Sequence, residues 1–327
     1  MSAVKLIAGF LVAASLIINT AANADNIPLI DAHSQLPSPE TAANVIELMD
    51  KAGISKVILS FRGAGRANHV IKLGIKHPDR IIPSIKTKGI NYIEGTEKFY
   101  STLAGHLKSP AFGAMAETIL WHAKKGNKAP EQIVDIMSKQ VQTSLKAALK
   151  KGWPFIIHIE FAAARAAGDG ERFMTMLDGL LKAYPDHPFP MIHMGQLQAK
   201  EVAALIGKYP NIYFITSHSN PVIAGKSGQP WVDMFIDDVL APEWKKMMIE
   251  HPDRFIFGID NVWPQHWGDI YIEQVNYWRN ALAELPHEVA HMIGHRNAER
   301  LWGLNNKKAE KSTKSDFRQP AGSRNLL

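Results

Sequence analysis

The 327-residue sequence contains no cysteine. This absence excludes disulfide bonds, zinc–thiolate sites, iron–sulfur clusters, a thiol nucleophile and a lipid anchor on cysteine. Any metal site in this chain would therefore have to use histidine, carboxylate, amide or water ligands. Beyond residue 24 no stretch reaches 18 consecutive apolar residues, so the sequence predicts no transmembrane helix in that part of the chain.

Apart from residues 305–327, the chain has little net charge. The net charge is +6, but residues 305–327 alone contain six basic residues against two acidic ones. The remainder is close to neutral and has no basic stripe, which argues against a nucleic-acid partner. We expect residues 305–327 to form a solvated, disordered tail, and a weak contact with an anionic surface is the alternative.

The first 24 residues have the pattern of a secretory signal peptide. Lys5 precedes an apolar run at residues 6–18, and Ala22-Asn23-Ala24 forms an A-x-A cleavage site. The apolar run is too short to span a bilayer comfortably. We expect cleavage after Ala24 and a periplasmic or secreted protein, with an uncleaved anchor as the alternative.

From residue 27 onwards, short apolar runs alternate with helical patterns. The runs that predict strands are 27–31, 56–60, 81–85, 112–116, 154–159, 190–194, 211–216 and 254–259. The predicted helices include one that begins at Ser38-Pro39 and ends at Gly53, and others at 131–150, 170–184 and 198–209. Eight strand–helix units predict an α/β fold, a single-domain (β/α)8 TIM barrel over residues 25–304. A doubly wound open sheet is the alternative.

Turn signals orient this predicted barrel. His-Pro-Asp sequences at 77–79 and 251–253 directly precede predicted strands, and proline followed by aspartate is typical of turns. These turns mark the N-terminal ends of the strands, so we interpret His77 and His251 as turn residues. In barrels of this kind the active site lies at the opposite, C-terminal ends of the strands.

Polar side chains with metal-binding or acid–base chemistry stand near the C-terminal ends of five predicted strands. They are His33 with Gln35, Glu117, His158, His193 and Asp260. Burying imidazoles and carboxylates together is unfavourable unless they pair or bind a cation. Taken singly, each has a plainer interpretation as a hydrogen-bonded core residue, a helix cap or an ion-pair partner. Their shared position predicts one polar site.

This ordered set resembles the amidohydrolase superfamily, in particular its amidohydrolase-related, metal-dependent hydrolase branch of TIM-barrel fold. Residues 112–117, Phe-Gly-Ala-Met-Ala-Glu, resemble the fourth strand of that branch. Residues 297–301, Asn-Ala-Glu-Arg-Leu, resemble its closing helix. The resemblance spans about residues 27–304. The branch usually carries His-x-His on its first strand, whereas this sequence has His33-Ser34-Gln35, so an amide replaces the second histidine.

The resemblance implies hydrolysis of an amide, ester or lactone bond in a small molecule by a metal-activated water. One divalent ion, zinc or manganese, would lower the pKa of the water to about 7 and polarise the scissile carbonyl. Asp260 would transfer the proton of the water, and His193 would hydrogen-bond the carbonyl oxygen. The implied metal ligands are His33, His158, Asp260, Glu117 and Gln35.

Residues that follow other strands are candidate substrate contacts. Arg62 and Arg165 could bind a substrate carboxylate in bidentate fashion. His122, His218 and Trp263 are candidate contacts in an apolar or aromatic pocket. Solvated loop charge and packing of the outer loops are the alternatives for these five residues.

Two further functions follow from the amide at Gln35. Without a metal, the same polar cluster would serve a metal-independent lactonase or decarboxylase. With a decayed site, the chain would be a non-catalytic, ligand-binding protein, because fold alone does not determine function. In each case the partner is a small molecule, with no nucleic acid and no stable membrane anchor, and the sequence leaves homo-oligomer formation open.

Overall fold

The structure, a computed structural model, describes residues 27–63, 65–127 and 129–304. The predicted signal peptide (1–24) and the predicted tail (305–327) lie outside these ranges. None of the helices within them is long and apolar enough to cross a bilayer.

The described chain alternates between strands and helices as the sequence pattern predicts. The strands are β1 (Leu29–Leu36), β2 (Ile54–Phe61), β3 (Ile81–Ile85), β4 (Ala114–Met115), β5 (Thr118–His122), β6 (Gln132–Ile133), β7 (Ile157–Ile159), β8 (Phe189–Met191), β9 (Ile212–Ile215), β10 (Phe235–Ile236), β11 (Val239–Leu240) and β12 (Phe255–Ile256). The helices are α1 (Pro39–Ala52), α2 (Ala67–Lys76), α3 (Ile90–Ile93), α4 (Glu97–Lys108), α5 (Lys139–Lys151), α6 (Phe161–Ala166), α7 (Gly170–Ala183), α8 (Ala199–Lys208), α9 (Pro221–Ser227), α10 (Pro242–Glu250), α11 (Asp269–Ala283), α12 (His287–His291) and α13 (Asn297–Trp302).

The parallel strands form a closed (β/α)8 barrel, which confirms the predicted fold. One sheet has the order β1-β2-β3-β4, and the other runs β12-β9-β8-β7-β5, with β6 added antiparallel to β5. Where the chain passes from β4 to β5, Ala116 N donates to Ile85 O (2.8 Å) and Thr118 N to Ile156 O (2.8 Å). Strands β4 and β5 therefore act as one bent barrel strand that joins the two sheets.

The second seam joins β1 to the segment that follows β12. Asp260 N donates to His33 O (2.7 Å), and Gln35 N donates to Asn261 O (2.8 Å). The buried carboxylate of Asp31 supports this seam, because it accepts from Ile259 N at 3.0 Å. The open-sheet alternative is therefore wrong.

Local sequence explains the helix that follows β1. Ser38 accepts a hydrogen bond from Thr41 N at 3.3 Å and caps α1, and Gly53 ends the helix with a φ of 68°. Val45 and Met49 lie four residues apart, so they share one face of α1, and both are buried. The same pattern places the outer helices around the barrel.

Asn297, the first residue of the predicted closing helix motif 297–301, has a structural role. Asn297 is buried and donates through its side-chain amide to Pro252 O (2.7 Å) and Phe255 O (2.8 Å). It thereby ties α13 to the start of β12, where two backbone carbonyls would otherwise lack these donors. Between α12 and α13 the chain forms one π-helical segment, Met292–Arg296.

Two of the predicted boundaries that differ from the structure have a clear physical reason. The helix predicted at 131–150 begins only at Lys139, because Gln132 and Ile133 pair with β5 as strand β6. The strand predicted at 190–194 ends at Met191, and the next residues turn into a left-handed conformation.

Candidate active site

A cavity of about 480 Å³ opens at the C-terminal ends of the barrel strands. Among the predicted site residues, those that line it are Arg62, Glu117, His122, His158, His193, His218, Asp260 and Trp263. His33 and Gln35 lie directly behind this wall, in contact distance of Glu117 and Asp260. The strand ends thus bring together the six residues that the sequence grouped into one site.

Strand β1 positions two of these side chains. It is buried along its whole length, and the two-residue spacing of His33 and Gln35 places both on the same face. The amide nitrogen of Gln35 donates to Asp260 Oδ1 (2.8 Å) and Glu117 Oε1 (3.2 Å). Gln35 therefore links the carboxylates contributed by two separate strand ends.

His193, His218 and Asp260 share an unusual backbone conformation. Their φ angles are 55°, 57° and 55°, in the left-handed region that non-glycine residues seldom adopt. Each follows a barrel strand, namely β8, β9 or β12, and the strained turn directs its side chain into the cavity. Such strain is typical of functional sites, where the surrounding structure must stabilise it.

The two left-handed histidines stack on one another. Their ring centroids are 4.3 Å apart with parallel planes, and Trp231 packs against both rings. Burial, together with neighbouring histidines, holds the pKa of His193 well below its usual range. Burial also lowers the pKa of His218. Both imidazoles are therefore neutral at pH 7.

Ser217 contacts both the backbone and the Nδ1 atom of His193. The backbone N–H of His193 donates to Ser217 Oγ at 3.1 Å, and this hydroxyl lies 3.0 Å from His193 Nδ1. Nδ1 also lies 3.4 Å from the carbonyl oxygen of Ser217, which would accept from an Nδ1–H, so these contacts are compatible with a proton on either Nδ1 or Nε2. Nε2 lies 3.5 Å from Asp260 Oδ2, at the wall of the cavity.

A chain of alternating charges runs through the other half of the site. The ammonium of Lys88 contacts Glu117, and His158 lies between Glu117 Oε2 (2.7 Å from Nδ1) and Glu160 Oε1 (3.1 Å from Nε2). The ammonium of Lys125 closes the chain at Glu160, 2.7 Å away. Both nitrogens of the His158 ring are therefore occupied by carboxylates.

This arrangement controls the protonation of its members. Burial alone would lower the pKa of His158, but the hydrogen bonds to Glu117 and Glu160 outweigh it and raise the pKa to about 9. Burial would raise the pKa of Glu160, but His158 and Lys125 lower it to about 2. Burial and the charge of His158 lower the pKa of His122 to about 4. His158 is thus a cation at pH 7 and His122 is neutral.

Both ring nitrogens of His33 are buried. Neither ring nitrogen makes a hydrogen bond with a described residue, although Nε2 lies 3.4 Å from Asp260 Oδ1 and 3.7 Å from Glu117 Oε1. The amide oxygen of Gln35 is likewise buried without a partner. Ligand atoms of His33, Glu117 and Asp260 all lie within 4.8 Å of one another. Buried nitrogen and oxygen atoms that lack hydrogen-bond partners and lie beside two carboxylates are suitable ligands for a divalent cation.

Other carboxylate–histidine groups in the described part of the chain have a spacing compatible with a metal. They are Glu117 with His158 and His193, His122 with His158 and Glu160, and His193 with His218 and Asp260. The first two depend on His158, whose ring nitrogens already face carboxylates. The predicted role of His158 as a metal ligand remains a prediction.

The candidate substrate contacts separate into two groups. The guanidinium of Arg62 stacks on Trp263, 3.9 Å from the ring centroid, at the cavity wall. Arg165 instead forms an ion pair with Glu201, in a partly exposed position, and does not line the cavity. The side chain of Arg165 therefore lies away from the residues that line the cavity.

Sequence reasoning missed Lys88, Lys125 and Trp231. Lys88 follows β3 by three residues, and this position of a cation just after a strand could have identified it as a site residue. Lys125 follows β5, a strand that was not predicted separately from β4. Trp231 comes from the loop after α9, and no local pattern indicates its contact with His193 and His218.

The fold and the site define a TIM barrel with a histidine–carboxylate centre at its C-terminal mouth. Residues 129–304 match the family model described as Amidohydrolase. The chain belongs to this family, which confirms the resemblance found in the sequence, and membership supports a catalytic role of hydrolase or lyase type. A comparison with curated proteins found no match.

Three solved structures show the same fold. An uncharacterized TIM-barrel protein from Bordetella bronchiseptica is 15% identical over 85% of this chain and 99% of its own, with a TM-score of 0.55. The 4-oxalomesaconate hydratase of Rhodopseudomonas palustris is 14% identical over 88% and 100%, with a TM-score of 0.53. A variant of the 5-carboxyvanillate decarboxylase of Novosphingobium aromaticivorans, with bound manganese, is 12% identical over 85% and 98%, with a TM-score of 0.52.

Proposed function

We propose that this chain is a metal-dependent hydrolase of a small carboxylated molecule, and that it cleaves an amide, ester or lactone bond. The observation that carries the proposal is the unsatisfied imidazole of His33 beside Asp260 and Glu117. A buried cluster of this kind gains most from a cation, because the two carboxylates are removed from water.

The donor set favours manganese over zinc. It offers one imidazole from His33, carboxylates from Glu117 and Asp260, and the amide oxygen of Gln35. Oxygen-rich sites of this kind suit manganese, whereas zinc prefers more nitrogen and sulfur ligands. The decarboxylase neighbour also binds manganese. A divalent ion at this position supplies a Lewis acid that polarises a carbonyl and makes water more acidic.

The protein groups divide the remaining chemistry. Asp260 is the candidate base, because its carboxylate borders the cavity and its Oδ1 is already oriented by Gln35 at 2.8 Å. Neutral His193, in the tautomer with its proton on Nε2, would donate to a carbonyl oxygen that gains negative charge. His158 remains a fixed cation between its two carboxylates, which orients Glu117.

Arg62 is the candidate anchor for a substrate carboxylate. Its guanidinium has no carboxylate partner among the described residues, and the stacking on Trp263 fixes its plane. A planar, fixed guanidinium binds a carboxylate through two parallel hydrogen bonds. The indoles of Trp231 and Trp263 would then hold a flat, apolar portion of the substrate.

A panel of carboxylated lactones, esters and amides, each with its uncharged analogue, tests this proposal. We expect Asp260→Asn to reduce kcat by at least a hundredfold, because it removes the base. Arg62→Met should raise KM for the carboxylated compounds alone, by about tenfold to a hundredfold, which corresponds to the 1.5–3 kcal/mol of a charged hydrogen bond. Arg165→Met is the matched control and should leave both constants unchanged. Full turnover by Asp260→Asn would contradict the assignment.

The alternating charge chain favours a second candidate, a metal-independent lactonase or decarboxylase. Lys88, His158 and Lys125 supply positive charge to Glu117 and Glu160 from the protein itself. Metal content of the untagged protein, purified without chelator, separates the two candidates. About one manganese per chain that is lost in His33→Ala supports the first. Activity that survives exhaustive chelation supports the second.

We also propose export to the periplasm or the medium, supported by the Lys5, apolar-run and Ala22-Asn23-Ala24 pattern. Expression of the full chain in a Gram-negative host should give a periplasmic protein whose first residue is Asp25. A cytoplasmic protein that retains residues 1–24 would contradict this proposal.

A further inference from the structure

Three histidines follow one another at four-residue intervals near the end of the described chain. They are His287 and His291 of α12 and His295 of the π-helical segment Met292–Arg296. Residues four apart lie on the same side of a helix, so the three side chains form one row. Below we call His287, His291 and His295 the histidine row.

The histidine row lies far from the cavity. Gly294, within the same segment, packs against Ile27, Pro28 and Leu29 at the beginning of β1. The candidate active site is at the opposite, C-terminal ends of the strands. None of the three histidines lines the cavity. An ion bound by the histidine row would therefore have no contact with the proposed active site.

The rings of His291 and His295 are close enough to bind one metal ion together. His291 Nδ1 lies 3.0 Å from His295 Nε2, and the rings of His287 and His291 are 4.2 Å apart between centroids. Imidazole nitrogens bind divalent metals at about 2.0–2.1 Å, so two ligands in neighbouring positions on one ion are about 3 Å apart. The observed separation matches this value.

Carboxylates flank the row at both ends, and the one at Glu288 also forms an ion pair with Arg296. Glu288 Oε1 lies 3.4 Å from His287 Nδ1, and Glu299 Oε2 lies 3.2 Å from His295 Nδ1. The side chain of His287 is 50% exposed, whereas that of His295 is 13% exposed. An ion can therefore enter from solvent beside His287, while His295 provides a more rigid ligand.

We propose that the histidine row contains a second metal site, which binds one divalent transition ion through His291 and His295. Two imidazoles and no thiolate favour nickel, copper or zinc over magnesium or calcium, because the latter prefer oxygen. The alternative for this geometry is a hydrogen bond between the two imidazoles, and the experiment must separate it from the metal site.

Nickel titration of the untagged full chain tests the proposal by calorimetry. We expect the double variant His291→Gln/His295→Gln to bind one nickel ion fewer per chain than the unmodified protein, and His291→Gln alone to weaken that site at least tenfold. His77→Gln is the matched control, since His77 is a turn residue outside the row, and it should change neither value. Equal stoichiometry and affinity in the double variant would overturn the proposal and leave the hydrogen bond.

A second measurement needs no variant. Diethyl pyrocarbonate modifies accessible imidazoles, and mass spectrometry locates the modified residues. With nickel present, His291 and His295 of the unmodified protein should be protected, whereas His77 should react as before. Unchanged reactivity of His291 and His295 would overturn the proposal even if the variants fail to fold.

Discussion

At the scale of single residues, His158 makes stability depend on pH. Its pKa in the folded protein is about 9, above the ordinary value of 6.5, so its contribution is complete below pH 6.5 and is lost as the pH rises through 9. The pKa of Glu160 is about 2, below its ordinary 4.5, so its contribution is complete above pH 4.5 and is lost as the pH falls through 2. Both contributions are complete together between about pH 4.5 and 6.5.

We therefore predict that the stability difference between the metal-free protein and His158→Gln is largest in this window. The difference should fall by roughly 3 kcal/mol between pH 6 and pH 10, the size expected for a pKa shift of this extent. Urea unfolding of both proteins across this range measures it. Comparing the two also cancels the contribution of Asp31, whose pKa burial raises to about 6. A difference that stays constant with pH would contradict the prediction.

Gln35 gives a second prediction at this scale. Its amide nitrogen donates to Asp260 and Glu117, two buried carboxylates. Gln35→Leu keeps most of the side-chain volume but removes both donors, so we expect the metal-free protein to lose about 1–3 kcal/mol of unfolding free energy. Urea denaturation with chelator present measures this loss. Manganese should increase the loss, because the variant also lacks the amide oxygen that the proposed site uses and therefore gains less stability from the ion. An equal loss with and without metal would argue against the shared site.

Sequence was sufficient to group the site residues but not to assign their partners. His33, Glu117, His158, His193 and Asp260 could be brought together because strand ends in a barrel meet at one face. That the rings of His158 and His193 differ in charge could not be predicted. The charge of His158 depends on its hydrogen bonds to Glu117 and Glu160, and the low pKa of His193 depends on its burial beside His218. These surroundings form only when the chain folds.

At the scale of elements, the turn after β8 controls the position of His193. Residues 193, 194 and 196 have positive φ angles, and Gly195 between them has a φ of 65°. A Cβ on Gly195 would lie 2.3 Å from Met191 Sδ, so the turn has no room for a side chain. The sequence shows a glycine here, but the length of the left-handed run depends on the packing of Met191, which is a tertiary contact.

Gly195→Ala should therefore destabilise the fold by more than about 1 kcal/mol, the usual penalty for a left-handed alanine, and displace His193. Gly179→Ala is the matched control. Gly179 is exposed within α7 and has open space around it, so alanine there should stabilise by about 0.5–1 kcal/mol. Thermal unfolding and turnover of the two variants give the comparison. Loss of activity in both, or in neither, would contradict this role of the turn.

The elements also show where periodicity fails. The apolar pattern of residues 131–150 suits a helix, yet Gln132 and Ile133 join β5 as an added strand. Backbone pairing with β5 outweighs the weak helical preference of a few residues. The N-terminal boundary of α1, in contrast, follows from Ser38 and Pro39 alone, because capping is a local interaction.

At the scale of the whole molecule, the proposed metal site lies across both seams of the barrel. Glu117 stands between Ala116 and Thr118, whose backbone bonds join the two sheets at β4 and β5. Asp260 donates its backbone N–H to His33 O and so forms the other seam. An ion held by His33, Glu117 and Asp260 would connect residues far apart in sequence, and these contacts exist only in the folded barrel.

Because the unfolded chain lacks this site, manganese should stabilise the fold by linkage. At a free concentration a hundred times its Kd, we predict a gain of about 2.7 kcal/mol in unfolding free energy. Urea unfolding at several manganese concentrations should show the midpoint rising with the logarithm of concentration. His33→Ala should abolish this response, whereas His291→Gln/His295→Gln should retain it, because the histidine row lies at the other end of the barrel. If His33→Ala responds like the unmodified protein, manganese binds elsewhere and does not hold the barrel closed.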